Sequence, residues 1–149
     1  MIEIPIRNLS RNQRRRLQES KAFGQLAEEL VAEEFDLSEF NNADWYDCVN
    51  KDTGTKYEVK STAEQIGSKY PGTGRFRLWK DNHRSIAASD GQGTAWYAFV
   101  LLSESDGSIK IQRRKPSTVS EVVRDRGGWN TSGHARGQKQ HKIPYPEVI

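Results

Sequence analysis

Five segments of this chain carry the residue pattern of β-strands, and their order limits the folds that the sequence can adopt. In each of them, β-branched and aromatic residues alternate or run together between Gly, Asn and Asp turns. The predicted strands are WYDCVN (45–50), TKYEVKS (55–61), RFRLW (75–79), AWYAFVLL (95–102) and SIKIQRR (108–114). Helices are predicted over 10–35, 80–89 and 118–126. Helices flanking mostly consecutive strands indicate an α/β or α+β fold.

Length and composition predict a single domain spanning residues 1–149. Charged residues make up 29% of the chain, but four Trp, five Tyr and five Phe supply enough large side chains for a core. Cys48 is the only cysteine, which excludes an internal disulfide and a zinc site built on several thiolates. The sequence lacks both the apolar core of a signal peptide and a membrane-length apolar run, so we expect a cytoplasmic protein without membrane contact.

Charge is segregated along the chain, although the formal net charge is only +3. No Lys or Arg occurs between Ala22 and Asn50, where acidic residues cluster, while both flanks are basic. The basic flanks comprise a helix that begins at Ser10 and a C-terminal arm over about 127–149, which has no clear periodicity. A basic frame around an acidic centre suits a protein that grips a polyanion and holds cations beside it. An ordinary solvated surface would show the same charges.

The turn-rich sequence KDTG (51–54) predicts a β-hairpin between the first two strands. With a loop of two or four residues, Asp47 faces Glu58, and Lys60 lies on the same face by the strand period. A three-residue loop would instead place Cys48 opposite Glu58. Opposed carboxylates repel one another, and a divalent cation between them is the simplest remedy.

The Glu-x-Lys pattern alone is a weak signal. It also occurs at Glu19 to Lys21, inside the first predicted helix, where it reads as an ordinary surface pair. On a strand, Glu58 and Lys60 could also be solvent-exposed side chains on one face, with no charged residue on the neighbouring strand opposite them. The facing Asp47 is what favours a catalytic site.

Taken in order, GQLAE (24–28) on a helix, Asp47 at the start of a hairpin and EVK (58–60) on the returning strand resemble the PD-(D/E)XK nuclease superfamily. The resemblance covers about 23–102 and extends to archaeal Holliday-junction-resolvase-like and viral or phage members. It implies a restriction-endonuclease-like core, a central mixed β-sheet flanked by helices in αβββαβ order. Tyr46 stands where many members have proline.

The resemblance assigns Glu28, Asp47, Glu58 and Lys60 as catalytic residues. Asp47, Glu58, the Val59 carbonyl and Glu28 would hold one or two Mg²⁺, with Mn²⁺ able to substitute. Lys60 would lie beside the attacking water and the scissile phosphate. Only the resemblance selects Glu28, because a helical wheel places Glu34 nearest the middle of the apolar face and Glu29 is adjacent.

The third strand and the helix after it lie where members of this superfamily face DNA. The predicted phosphate contacts are Arg75, Arg77, Lys80, His83, Arg84, Arg136 and Lys139. A capping or surface role is an equal alternative for His83. The basic C-terminal arm resembles a flexible segment that becomes ordered along a nucleic-acid backbone.

These observations predict a Mg²⁺-dependent DNA endonuclease. One alternative is a structure-specific nuclease such as a Holliday-junction resolvase, which would act as a homodimer. Another is a nucleic-acid-binding module that keeps the fold without catalysis, and the presence of all four catalytic residue types argues against it. A third is an interaction domain of a virus or mobile element, which would act in the host cytoplasm and bind its partner without metal.

Overall fold

The computed structural model describes residues 1–39, 45–67, 69–130 and 138–149. Helices α1 to α4 and strands β1 to β10, numbered in chain order, make up the regular structure of these residues. The helices are α1 (Arg11–Arg15), α2 (Ser20–Phe35), α3 (Lys80–Asp90) and α4 (Pro116–Asp125). The strands are β1 (Ile2–Pro5), β2 (Ser38–Glu39), β3 (Cys48–Val49), β4 (Lys56–Ala63), β5 (Gln65–Ile66), β6 (Gly72–Thr73), β7 (Arg75–Trp79), β8 (Ala95–Ser103), β9 (Ser108–Arg114) and β10 (Gln140–Pro144).

A mixed six-stranded sheet with the order β1-β9-β8-β4-β3-β2 is the centre of the fold. Strands β4 and β8 are parallel, whereas the other neighbours in this sheet are antiparallel. A parallel pair needs a crossover connection, and here the crossover contains β7 and α3. This architecture confirms the predicted restriction-endonuclease-like core, a mixed sheet flanked by helices.

Strand β8 is buried on both faces, and its alternating side chains belong to two separate apolar cores. Ala98, Val100 and Leu102 pack in a core with α2, together with Tyr57 and Val59 of β4. Side chains of the opposite face pack in a second core with β7, α3, α4 and β10, and these include Tyr97, Phe99, Phe76, Ile86, Val119 and Ile143. Because side chains alternate along a strand, Glu58 and Lys60 of β4 face away from α2, toward the second core.

The first predicted helix begins as expected but is broken. Ser10 caps α1, since its Oγ accepts a hydrogen bond from the Gln13 amide at 3.1 Å while Gln13 Oε1 accepts from the Ser10 amide at 2.9 Å. The break lies at Glu19, which is extended (φ −130°, ψ 129°) and caps α2 through its own side chain. Glu19 and Lys21 are both exposed, as predicted, but Glu19 caps α2 and does not lie inside a continuous helix.

The C-terminal segment contains a strand that the sequence pattern did not predict. Residues 140–144 pair antiparallel with β7, and Ile143 is fully buried in the second core. The sequence predicts an ordered loop or an extended arm here; residues 140–144 are ordered, but as a paired strand, so the prediction of a flexible arm is wrong for them. Within the described ranges, no helix has the length and apolarity that crossing a membrane requires.

Candidate active site

The hairpin between β3 and β4 has the predicted register. The Asn50 amide donates to the Thr55 carbonyl at 2.8 Å and closes a four-residue loop over 51–54. Cys48 lies opposite Tyr57, and Val49 lies opposite Lys56. The loop is thus even, and the alternative with Cys48 opposite Glu58 is wrong.

Asp47 lies just before β3, and its side chain binds the backbone of β4. Its amide donates to the Tyr57 carbonyl at 2.8 Å, and its Oδ2 accepts from the Val59 amide at 2.8 Å. The N–H and C=O of one strand residue point to the same side, so the Val59 carbonyl is also directed toward Asp47. Two oxygen donors, one carboxylate and one carbonyl, are thereby placed beside Glu58.

Glu58 is a buried carboxylate held by Lys60. Only 6% of Glu58 is exposed, and its Oε1 lies 3.0 Å from Lys60 Nζ. The pKa of Glu58 is raised to about 7, because burial raises it by more than Lys60 lowers it, and the Asp47 charge adds to the rise. One ammonium balances one carboxylate, so the additional charge of the neighbouring Asp47 exceeds what Lys60 can neutralise.

Glu28 is the carboxylate of α2 that reaches this site. The pKa of Glu28 is raised to about 7, mainly by burial, then by the charge of Asp47 and by the hydrogen bond that the protonated Glu28 donates to Asp47, with smaller effects of Glu39 and Glu58. Burial also raises the pKa of Asp47, although the Val59 amide and Lys60 act in the opposite direction. Without bound cations, Glu28 and Asp47 therefore behave as a proton-sharing carboxyl pair.

The two competing glutamates of α2 lie elsewhere. Glu29 is exposed and forms an ion pair with Arg16 at 2.6 Å, and Glu34 is exposed in the last turn of the helix. The position of Glu34 on the helical wheel does not bring it to the site, because Val31 is the last buried residue of α2. Cys48 helps to fix the helix at the site, since its Sγ donates to the Glu28 carbonyl at 3.8 Å.

The donor chemistry of this cluster fits a hard divalent cation. Carboxylate and carbonyl oxygens are the ligands that Mg²⁺ prefers, and the charges of Glu28, Asp47 and Glu58 repel one another at this site. Three or more His, Cys, Asp or Glu side chains already gathered into a coordination site are absent from the described part of the chain. Glu58 Oε1 is occupied by Lys60, so coordination would require these side chains to turn toward a shared point.

A protein-family model described as the PD-(D/E)XK nuclease superfamily domain matches residues 13–149. The chain belongs to the PD-(D/E)XK nuclease superfamily. This match confirms the resemblance seen in the sequence and supports a nuclease-type function. A comparison with curated proteins finds no significant match.

The predicted phosphate contacts of this PD-(D/E)XK domain fall into three groups. Arg75 and Arg77 are exposed on β7, and Arg84 is exposed on α3. Lys80 is half-buried, and its amide donates to the carbonyl of the exposed Lys139 at 3.0 Å, which brings two lysines of distant sequence position together. Arg136 lies outside the described residues.

His83 is a structural residue, so its prediction as a phosphate contact is wrong. It is 6% exposed, and its ring nitrogens lie 2.8 Å from the Tyr97 hydroxyl and 2.7 Å from Ser120 Oγ. Burial lowers the pKa of His83, which favours the neutral ring. The histidine therefore ties α3 to β8 and α4.

Sequence reasoning missed Tyr97 as a neighbour of the site. Strands β4 and β8 place it beside Glu58 in parallel register, and burial, followed by the Glu58 charge, raises the pKa of its hydroxyl well above the ordinary value. Tyr97 is buried, and its hydroxyl binds His83. No sequence signal reveals this neighbour, because the pairing spans a long crossover.

The raised pKa of Glu58 predicts how stability depends on pH in the cation-free protein. The folded pKa of about 7 exceeds the ordinary 4.5, so the native state binds this proton more tightly than the unfolded chain does. The stabilisation is fully present below pH 4.5 and is lost as the pH rises through 7, on the order of 1–3 kcal/mol. Denaturant unfolding in EDTA at pH 5 and pH 8 measures it.

Glu58→Gln isolates this contribution from those of other acids. The variant should lose less stability than wild type between the two pH values, whereas Glu121→Gln, at an exposed position of α4, should follow wild type. Equal pH dependence in Glu58→Gln and wild type would contradict a carboxyl that is protonated in the native state.

Proposed function

We propose that this PD-(D/E)XK domain is a divalent-metal-dependent DNA endonuclease that hydrolyses phosphodiester bonds. The observation that supports this proposal most strongly is the convergence of Asp47 and Glu28 on the Glu58–Lys60 pair. Lys60 is the cation that offsets the charges of Glu58 and Asp47, and Glu28 adds a third carboxyl group next to Asp47, so the site gathers more acidic groups than this one ammonium can neutralise. Such an arrangement is expected where a cation is to be bound.

Asp47, Glu58 and the Val59 carbonyl, with Glu28 on the helix side, would hold Mg²⁺ or Mn²⁺. A bound divalent cation supplies charge relief and an activated water for phosphodiester hydrolysis. Asp47 is oriented for ligation because the Val59 amide fixes one carboxylate oxygen, at 2.8 Å from Oδ2. The Cys48 contact fixes the position of α2, and hence of Glu28.

Lys60 contributes a positive charge at the place where negative charge develops in the reaction. Its side chain is 19% exposed, so it reaches the surface from a largely buried stem. There it would orient the attacking water and stabilise the charge on the scissile phosphate. Arginine would not replace it well, because guanidinium keeps its proton and is larger.

The experiment that tests this function uses the purified chain with supercoiled plasmid, a four-way junction and single-stranded DNA. Each substrate is incubated with Mg²⁺, Mn²⁺ or EDTA, and cleavage is followed on gels. We expect cleavage of at least one substrate with either metal and none in EDTA. Preference for the four-way junction would identify a structure-specific resolvase, and binding without cleavage of any substrate would identify a non-catalytic module.

A further inference from the structure

Strands β7 and β10 form a two-stranded ribbon whose outer face is strongly basic. Lys142 lies directly opposite Arg77, and Pro144 lies opposite Arg75. Neighbours in register share one face, with the inward residues Phe76, Leu78 and Ile143 on the other. Three cations therefore project from the same side of the ribbon.

These cations lie close together. Burial lowers the pKa of Lys142, and the charges of Arg77 and Arg75 lower it further. None of the ion pairs in the described residues involves Lys142, Arg75 or Arg77. Like charges held side by side on a rigid ribbon repel, so the fold maintains them at a cost in stability.

A cavity of about 300 Å³ adjoins this face and has Arg75, Lys142, Arg126 and His141 in its lining. Arg126, at the end of α4, approaches Glu147 at 3.4 Å, the single acidic contact in the group among the described residues. His141 is 5% exposed, and its Nδ1 donates to the Gly128 carbonyl at 2.8 Å. Its Nε2 is buried without a hydrogen-bond partner in the described part of the chain.

The size and chemistry of this cavity suit a tetrahedral oxyanion. Guanidinium and ammonium groups are the usual donors to phosphate oxygens, and arginine binds them in bidentate fashion. A buried imidazole nitrogen without a partner is costly unless a ligand or water satisfies it. The cations and the cavity are independent features, and both are compatible with one phosphate group. Because Nδ1 of His141 carries the hydrogen donated to Gly128, Nε2 of the neutral ring is an acceptor and would meet the phosphate through a bridging water.

One end of the ribbon is fixed to the end of β4, the strand that carries Glu58 and Lys60. The Gly74 amide donates to the Glu64 carbonyl at 2.8 Å, and the Tyr145 amide donates to the Gly74 carbonyl at 3.0 Å. A Cβ at Gly74 would lie 1.8 Å from the Ala63 carbonyl oxygen, so only glycine permits this approach. Ala63 follows Lys60 by three residues, roughly 10 Å along a strand, which is within the span of a few nucleotides.

We propose that the cavity bounded by Arg75, Lys142, Arg126 and His141 is a second, non-catalytic site that binds a backbone phosphate of duplex DNA. The inference rests on the proposed action on DNA and names a contact outside the catalytic cluster. Its function is to fix the position of the duplex relative to Lys60. A phosphate contact of this kind carries no sequence information.

The test measures binding of a fluorescent duplex in EDTA, where cleavage cannot interfere. Lys142→Gln should weaken binding about 3–10-fold at 0.1 M salt and reduce the slope of log affinity against log salt by about 0.9. Arg75→Gln, at an exposed position where folding is not at risk, should do the same. The matched control is Lys110→Gln, whose ammonium is already paired with Asp106, and it should change the slope by less.

Further measurements distinguish DNA phosphate from free phosphate as the ligand of this cavity, and distinguish failure of this site from failure of the endonuclease function. Inorganic phosphate should compete for the duplex less strongly in Lys142→Gln than in wild type. Phosphate binding that depends on Lys142, together with duplex binding that does not, would overturn the proposal in favour of a site for free phosphate. Equal effects of Lys142→Gln, Arg75→Gln and Lys110→Gln on the duplex would overturn it outright. Lys142-dependent duplex binding by a wild-type protein that never cleaves would uphold the site and contradict the endonuclease function.

Discussion

Replacement of Lys60 by alanine should slow DNA cleavage by about 10²–10³ while leaving duplex binding within about threefold of wild type. In the proposed mechanism, the Lys60 charge acts on the attacking water and on the charge that develops in the transition state, so its loss should affect the chemical step and not the bound ground state. Removing one such electrostatic group typically costs about 10²–10³ in rate. Single-turnover cleavage at saturating protein measures the rate, and anisotropy in EDTA measures binding.

Loss of Lys60 should also affect the stability of the protein. Lys60 is also the ion-pair partner of the buried Glu58, at 3.0 Å, and its removal leaves that carboxylate without a cation. Lys60→Ala should therefore raise the pKa of Glu58, because the opposing effect of Lys60 disappears. A thermal melt at pH 5 and pH 8 detects the resulting loss of stability at the higher pH.

Lys56→Ala is the matched control for Lys60→Ala. Lys56 lies on the same strand and the same face, and its Nζ binds the Gly54 carbonyl at 3.2 Å. The Lys56→Ala variant should cleave DNA at a rate close to that of wild type. If Lys60→Ala cleaved at more than a tenth of the wild-type rate, or if it lost binding and cleavage in equal measure, Lys60 would have no specific role in catalysis.

The local part of this site could be predicted from the sequence. The turn residues of 51–54 predict the hairpin, and a loop of two or four residues predicts the register that brings Asp47 to Glu58; the structure has the four-residue loop, whereas the sequence alone also allowed a three-residue loop. Strands β7 and β9 begin and end where the alternation of residues predicted. Both are bounded by turn residues or by a helix start, so short-range signals suffice.

The parts that failed depend on contacts between distant segments. Strand β10 is stabilised by pairing with β7 and by burial of Ile143, and neither interaction is visible in a segment rich in glycine and proline. The burial of His83 likewise depends on Tyr97 and Ser120, which belong to other elements. Glu34 has a favourable position on the helical wheel but lies in the last turn of α2 and is exposed.

The role proposed for Lys142 also depends on contact between distant segments, so the sequence alone does not reveal it. It is one of many basic residues near the C-terminus, and only its pairing with Arg77 distinguishes it from the others. Charge content predicts that a protein binds a polyanion. The specific cations that contact it follow from strand register, which in this case is set by a pairing across more than 60 residues of chain.

Asp47→Asn should produce the second large effect, the loss of both cleavage and the stabilisation by metal. In wild type, Mg²⁺ or Mn²⁺ at 100 times its dissociation constant should stabilise the native state by about 2.7 kcal/mol. For a domain of this size, that corresponds to a rise of several degrees in the melting temperature. The asparagine variant lacks one charged ligand, so it should rise by much less and should not cleave.

Without metal, Asp47→Asn should melt no lower than wild type. Burial raises the pKa of Asp47 and Asp47 raises that of Glu28, so a neutral side chain relieves an unfavourable charge at neutral pH. Asparagine keeps a carbonyl oxygen that can accept from the Val59 amide, so the bond now formed by Oδ2 at 2.8 Å need not be lost. A variant whose melting temperature is not lowered without metal, but which gains little when metal is added, has lost a metal ligand. A general defect in folding would lower the melting temperature in both conditions.

Asp52→Asn is the control for this comparison, because it is the same substitution in the exposed loop of the same hairpin. Melts of wild type, Asp47→Asn and Asp52→Asn with EDTA or Mn²⁺ give the required differences. We expect Asp52→Asn to match wild type in both conditions and to cleave DNA. If Asp47→Asn gained as many degrees from Mn²⁺ as wild type does, Asp47 would not be a ligand. The carboxylate cluster would then be a buried charge network without a catalytic cation, and the non-catalytic module would be the better description of this domain.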